Sequence, residues 1–226
     1  VTGINQRMEN KNVYIDLGKA EAILTPNEQI PGEIYQYHDR MKTYIVEVKK
    51  TSKGPQIMVS RTHPGLLKRL FELEVPEIHD GLVEIKSVAR EPGMRSKISV
   101  YTKDENIDPV GACVGHKGMR VQTIVNELRG EKIDIVKYSS EPDQYVANAL
   151  SPAKVVSTEV LEEEKICRVI VPDYQLSLAI GKEGQNARLA AKLTGWKIDI
   201  KSESQAAEEA EQGAQEVGVA YEADED

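Results

Sequence analysis

A chain of 226 residues with 40% apolar but only 5% aromatic side chains can bury aliphatic cores, and suits two or three small domains better than one large barrel. The formal charge of −8 hides its own distribution: all 29 basic residues and all but nine of the 37 acidic ones precede residue 203, so the body is close to neutral and any affinity for nucleic acid must come from local patches. Cys113 and Cys167 sit among apolar neighbours without metal-ligand spacing, and no run resembles a signal peptide or the ~18 apolar residues of a membrane helix, which points to buried thiols, no metal, no cofactor, no membrane and a cytoplasmic protein.

The chain starts at Val1 rather than a methionine and reads as an internal piece with a domain upstream. Residues 1–61 read as strands. Asn12 to Leu17 alternates, and 20–24, 42–49 and 56–60 follow, with turns at Asn27, Pro31-Gly32 and Lys53-Gly54-Pro55. The first strand is expected at or before Val1. About five strands in so short a stretch predict a small closed barrel of the OB type. The segment resembles the S-one type of RNA-binding barrel. That resemblance implies an aromatic and basic face that stacks bases, with Tyr14, Tyr35, Tyr37, His38 and Arg40 as the matching candidates.

Thr62-His63-Pro64 predicts a helix start, with Leu66, Leu67, Leu70, Phe71 and Leu73 as its apolar stripe and Val75-Pro76 as its end. It reads as a linker helix into the next domain. His63 and His79 have no partners at ligand spacing and read as cap or surface residues. Residues 82–90 form a strand, Glu91-Pro92-Gly93 turns it, and 97–101 returns. Arg90, Arg95 and Lys97 around this hairpin are either a solvated rim or a rim that tracks RNA. Asp108-Pro109 opens a short helix, with Asp108 in an N-cap position.

That helix runs through Val114 into Gly115-His116-Lys117-Gly118. Val121, Ile124, Val125 and Leu128 then recur at helical spacing, Gly130 stops the run, and Lys132-Ile133-Asp134-Ile135 follows. The pattern repeats 66 residues later. A helix over 142–150, strands over 154–161 and 166–171, and a helix over 174–180 lead through Ile180 into Gly181-Lys182-Glu183-Gly184. An alanine- and leucine-rich run ends at Gly195, and Lys197-Ile198-Asp199-Ile200 closes the unit. Residues 203–226 are polar, acidic and free of Lys and Arg, and are expected to be disordered.

A Gly-x-x-Gly loop at a helix start suits a sugar–phosphate backbone. Glycines let phosphate approach closely, and the helix presents unpaired N–H groups and the positive end of its dipole. Lys117 with Arg120, and Lys182 with Arg188, add charge nearby. Each unit resembles the KH domain, whose loop clamps about four nucleotides of single-stranded RNA, and strands preceding helices resemble its type II arrangement. Further stretches resemble the NusA family of bacterial transcription factors: Asp108 to Gly115, Asn126-Glu127-Leu128, Gly130 to Ile135, Ala147 to Ala153, Gln185 to Ala190 and Leu193 to Trp196.

The expectation is therefore an α+β multidomain chain: an OB-type barrel over 1–61, a first type II KH domain with its linker helix over 62–140, a second over 141–202 and a disordered acidic tail over 203–226. The expected RNA contacts are Val114, Gly115, His116, Lys117, Gly118 and Arg120 in the first repeat. In the second they are Ile180, Gly181, Lys182, Glu183, Gly184, Gln185, Asn186 and Arg188, and in the barrel Tyr14, His38 and Arg40. The resemblance implies a non-enzymatic module that holds nascent single-stranded RNA. It also implies RNA polymerase as a partner, mainly through the part upstream of Val1, together with other elongation or antitermination factors. Two packed repeats with both loops on one face are implied in the same way. Two other readings remain at this point: an RNA-binding part of an RNA-degrading enzyme, and a ribosome-associated protein. Against the first, Asp104, Glu105 and Asp108 are close in sequence but read as solvated acids. Glu183 stands where a basic or neutral residue is more comfortable beside phosphate.

Overall fold

The computed structural model describes residues 1–223, with side chains to residue 214, and the chain divides into two compact units after Ile135. The first unit opens with six strands: β1 (Thr2–Glu9), β2 (Asn12–Asp16), β3 (Glu21–Leu24), β4 (Arg40–Lys42), β5 (Tyr44–Thr51) and β6 (Gly54–Ser60). They are ordered β4-β1-β2-β3-β6-β5. The terminal strands β4 and β5 are separated only by Thr43, so one extended stretch forms both borders and the sheet closes on itself as an OB-type barrel. Alternation along β2 turns Val13 and Ile15 inward, onto Ala22, Leu24, Tyr35, Met41 and Val59. The first strand, expected to begin at or before Val1, is β1 and begins at Thr2.

The rest of this unit comprises α1 (Pro64–Glu74), α2 (Pro76–His79), β7 (Glu84–Glu91), β8 (Arg95–Tyr101), α3 (Pro109–Val114), α4 (Met119–Glu127) and β9 (Lys132–Lys137). The sheet order is β7-β8-β9. Helix α1 begins with Pro64 in its first turn, and the His63 side chain accepts the Gly65 N–H. Leu66, Leu67, Leu70 and Phe71 are buried against Ile98, Val100, Ile124 and Leu128. Leu73, counted in the stripe, is instead 70% exposed.

The barrel and the KH fold of this unit share a buried ionic joint. Arg61 is fully buried and donates to Lys42 O at 2.9 Å, to Glu127 Oε1 at 3.2 Å and to Glu127 O at 3.1 Å, and it also pairs with Glu33. Arg129 reaches the same Glu33 oxygen at 3.2 Å.

The basic residues of the β7–β8 hairpin form neither kind of rim. Arg90 makes a forked pair with Glu131, and both side chains are fully buried. Glu131 also accepts the Gly93 N–H and the Ser96 hydroxyl, so its lone pairs are filled. Arg95 and Lys97 both hold Asp134 on β9 at 2.8 Å. These cations fasten the hairpin to the strand that follows the loop.

The second unit contains α5 (Pro142–Ala149), β10 (Ser157–Leu161), β11 (Ile166–Val171), α6 (Leu176–Ile180), α7 (Gln185–Thr194), β12 (Lys197–Ser202) and α8 (Glu203–Ala223). Its sheet order is β10-β11-β12. β10 pairs antiparallel with β11, and β11 parallel with β12. Tyr145, Val146 and Ala149 of α5 are buried along with Leu189, Ala190 and Leu193 of α7, and the Tyr145 hydroxyl donates to Leu193 O at 3.2 Å.

Helix α8 corrects the expectation of a disordered tail from residue 203; residues 224–226 lie outside the described residues. Ser202 and Gln205 form a reciprocal capping box: Gln205 N–H to Ser202 Oγ at 3.2 Å, and Ser202 N–H to Gln205 Oε1 at 3.0 Å. Asp173 accepts the Ser204 N–H at 3.1 Å, and Lys201 pairs with Glu209. Hydropathy and charge favour disorder in this segment, but Glu, Ala and Gln are strong helix formers.

Candidate nucleic-acid interface

Both Gly-x-x-Gly segments link two helices by the same backbone path. The first glycine has φ 78° and ψ 173° at Gly115, and φ 79° and ψ 169° at Gly181. The third residue is left-handed in each, with φ 52° and ψ 28° at Lys117 and φ 55° and ψ 26° at Glu183. The fourth is left-handed too, with φ 72° at Gly118 and 74° at Gly184. In both loops the last glycine N–H donates to the first glycine's carbonyl at 3.1 Å.

The two glycines of each loop serve different ends. The first combines positive φ with ψ near 170°, a region nearly closed to other residues. A Cβ there would lie 2.6 Å from Arg120 Cγ in the first loop and 2.7 Å from Asn186 N in the second. At Gly118 and Gly184 a Cβ would meet nothing within 4 Å. The last glycine therefore leaves a bare surface at the start of the following helix. Neither α4 nor α7 has a side-chain N-cap bond, so no side chain covers the positive end of the helix dipole, although the first N–H of each helix, Met119 or Gln185, donates to the carbonyl of His116 or Lys182.

Arg120 and Asn186 occupy the same repeat position, and both lock their loop from beneath. Arg120 donates to Ala112 O at 2.7 Å and pairs with Glu77 at 2.9 Å. Asn186, 2% exposed, donates to Leu150 O at 3.0 Å and Ala179 O at 2.9 Å. Arg188 donates to the Glu183 carbonyl at 3.0 Å and braces the second loop's tip. Three of the residues expected to touch RNA are thus engaged with the loop's own framework. The side chains of His116, Lys117, Lys182 and Glu183 are exposed and make no hydrogen bond or ion pair among the described residues. Val114 and Gln185 are half-buried at the loop edges, the Gln185 Nε2 is buried without a partner, and Ile180 is exposed.

In the barrel, Tyr14, His38 and Arg40 lie on β2, in the loop before β4 and on β4. The Arg7 guanidinium covers the Tyr14 ring at 4.2 Å, and His38 stacks on Tyr37 at 3.8 Å. Arg40 is exposed opposite Ile4. Tyr37 and His38 border an open pocket with Ile4, Gln6, Arg7 and Asp16. Tyr35 belongs to the core: its hydroxyl accepts the Ile30 N–H at 3.0 Å. Burial, then the neighbouring Glu33, pushes its pKa up to about 12.

Exposed apolar side chains beside the loops were not anticipated. Met119 follows the first loop and is 65% exposed. Tyr174 and Leu178, also exposed, lie on the turn and helix that enter the second. Their sequence signal is a large apolar residue outside the buried stripe of its own helix. Among the described residues there is no grouping of three His, Cys, Asp or Glu fit to hold a metal, and no helix long and apolar enough to cross a membrane.

Comparison with known proteins agrees with this architecture. The NusA-like first KH domain family matches residues 61–138, and the NusA-like second KH domain family matches residues 142–208. The chain belongs to the NusA-type tandem KH family. A transcription termination/antitermination protein NusA of Halalkalibacterium halodurans is 72% identical over 208 residues, covering 92% of this chain and 54% of that protein. The protein of the same name from Bacillus subtilis is also 72% identical over 208 residues, with 92% and 56% covered. The one from Thermus thermophilus is 51% identical over 199 residues, with 88% and 51% covered. This chain spans about half the length of these curated NusA relatives.

Proposed function

We propose that this chain is the single-stranded RNA-binding module of a transcription elongation, termination and antitermination factor of the NusA type. Its two Gly-x-x-Gly loops clamp the backbone of nascent RNA; it acts with RNA polymerase and other elongation or antitermination factors in the cytoplasm, and it catalyses nothing itself. The observation that carries this reading is the dihedral-by-dihedral match of the two loops, each leading into a helix without a side-chain cap and each presenting an exposed lysine, inside domains of a KH family. In each loop the bare last glycine lets phosphate approach the positive end of the following helix, while the exposed cations supply attraction. Gly115, Arg120, Gly181, Asn186 and Arg188 hold that path in shape. His116, Lys117, Gly118, Lys182, Glu183 and Gly184 face the strand, with Val114, Ile180 and Gln185 at its margins. Tyr14, His38 and Arg40 provide a further contact face on the barrel. Two clamps on one chain raise each other's effective concentration for a strand long enough to reach both.

The test is RNA binding by the chain carrying H116D and K117D, and separately K182D and E183D. Reversing charge at a phosphate contact is expected to weaken binding by about tenfold or more at low salt. Unchanged affinity in both variants would remove the loops from the interface.

A further inference from the structure

The two loops share a backbone but not a charge pattern. In the first, Lys117 occupies the left-handed third position and His116 the second, and neither is paired among the described residues. In the second the order is Lys182 then Glu183, both exposed and likewise unpaired. The carboxylate of Glu183 therefore extends from the same backbone position as the ammonium of Lys117. The remaining cations are held by the framework of each loop rather than presented at its tip. Arg120 is held by Glu77 and Ala112 O, and Arg188 spends a donor on the Glu183 carbonyl. The first tip carries Lys117 unopposed, whereas at the second Glu183 offsets Lys182 and the further cation, Arg188, is fixed to the loop's own carbonyl.

We infer that Glu183 makes the second loop the weaker clamp by offsetting Lys182, while Lys117 gives the first loop the larger salt-dependent share of RNA affinity. The inference rests on the RNA-binding reading and deepens it. The second loop relies more on backbone donors and glycine access, and is the point at which a bound strand first lets go. Substitution here is free of backbone complications, because a lysine already adopts this conformation at position 117.

Two unit charges about 7 Å apart in a water-like medium change affinity about threefold, so reversing one charge is worth about sevenfold at low salt. The experiment measures fluorescence anisotropy of a fluorescein-labelled, unstructured single-stranded RNA across a potassium chloride series. The proteins are the full chain and its E183K, E183Q and K117E variants. E183K is expected to tighten binding about sevenfold at low salt and to steepen the salt dependence by about 0.7 logarithmic units for the added phosphate contact. E183Q should fall between E183K and the parent, and K117E should weaken binding and flatten the slope. If E183K leaves binding unchanged or weakens it while K117E still weakens it, the inference fails and the clamp reading stands. If neither E183K nor K117E moves affinity or slope, the strand avoids both tips, and the inference and the clamp reading fall together.

Discussion

The two glycines of the second loop should separate cleanly when each is replaced by alanine. At Gly184 the new Cβ has nothing within 4 Å, and the only penalty is a left-handed residue, about 1 kcal/mol. At Gly181 the backbone has φ 79° and ψ 169°, a region worth about 1–3 kcal/mol of strain for any other residue. The Cβ would also sit 2.7 Å from Asn186 N and 2.8 Å from Asn186 Cβ, so the start of α7 has to move. That movement disturbs the two buried bonds from Asn186 to Leu150 O and Ala179 O, each worth about 1 kcal/mol. The sum for G181A is about 3–5 kcal/mol, against about 1 for G184A. For a unit of this size, 1 kcal/mol moves the melting temperature by about 4–8 °C. Trp196 is the chain's single tryptophan and belongs to the second unit, so its fluorescence follows that unit's melting. G184A should melt about 5 °C below the parent yet lose RNA affinity, because its methyl occupies the surface meant for the strand. G181A should melt about 15 °C lower or more. Equal melting temperatures for the two variants would refute the division of labour between the glycines.

Other perturbations test the supports around the site. R61M removes a fully buried cation from Glu33 and Glu127 and should destabilise the first unit by about 3 kcal/mol, Arg129 retaining part of the Glu33 pairing. Urea unfolding followed by circular dichroism checks this, and a change below about 0.5 kcal/mol would show that the joint contributes nothing. S202A removes one half of the α8 capping box and should cost about 1 kcal/mol of helix stability, read as faster amide exchange over residues 203–210. Burial favours the neutral form of the Asp134 carboxyl, but hydrogen bonds and charge from Arg95 and Lys97 outweigh it and hold the pKa below 3.8. A depressed carboxyl stabilises the fold above its unfolded pKa and loses that contribution as pH falls through the folded value. Acid titration should therefore destabilise the first unit as pH drops below about 4, and D134N should flatten that dependence.

The repeats were legible because each carries several local signals in one order: a β-branched residue, two glycines three apart, helical apolar spacing, a stopping glycine and Lys-Ile-Asp-Ile. The barrel was legible as strands, but β1 has a bulge between Asn5 and Arg7 that breaks strict alternation. What stayed hidden depends on long-range partners. Nothing near Arg90, Arg95 or Lys97 reveals that Glu131 and Asp134 neutralise them across about 40 residues of chain, so the hairpin read as a basic rim. Tyr35 resembled its neighbour Tyr37 in sequence, yet its hydroxyl closes a turn at Ile30 while Tyr37 stays open to solvent. Helix α8 did announce itself through Ser202 and Gln205, a capping box outweighed by an argument from composition.

The pair Arg120 and Asn186 shows what the repeat holds constant. The two residues share neither charge nor length, so comparison of side chains alone suggests two different contacts. Each nevertheless donates to a carbonyl in the last turn of the preceding helix, and each lies where the first glycine's Cβ would be. The long arginine needs Glu77 to balance its charge, and α2 supplies it; the short asparagine reaches its second carbonyl, Leu150 O, at the end of α5. Two chemically unlike residues thus give loop dihedrals that agree within a few degrees. The repeated feature is the backbone path with its bare glycine and open helix start. The charges at the tips are free to differ because they do not hold that path.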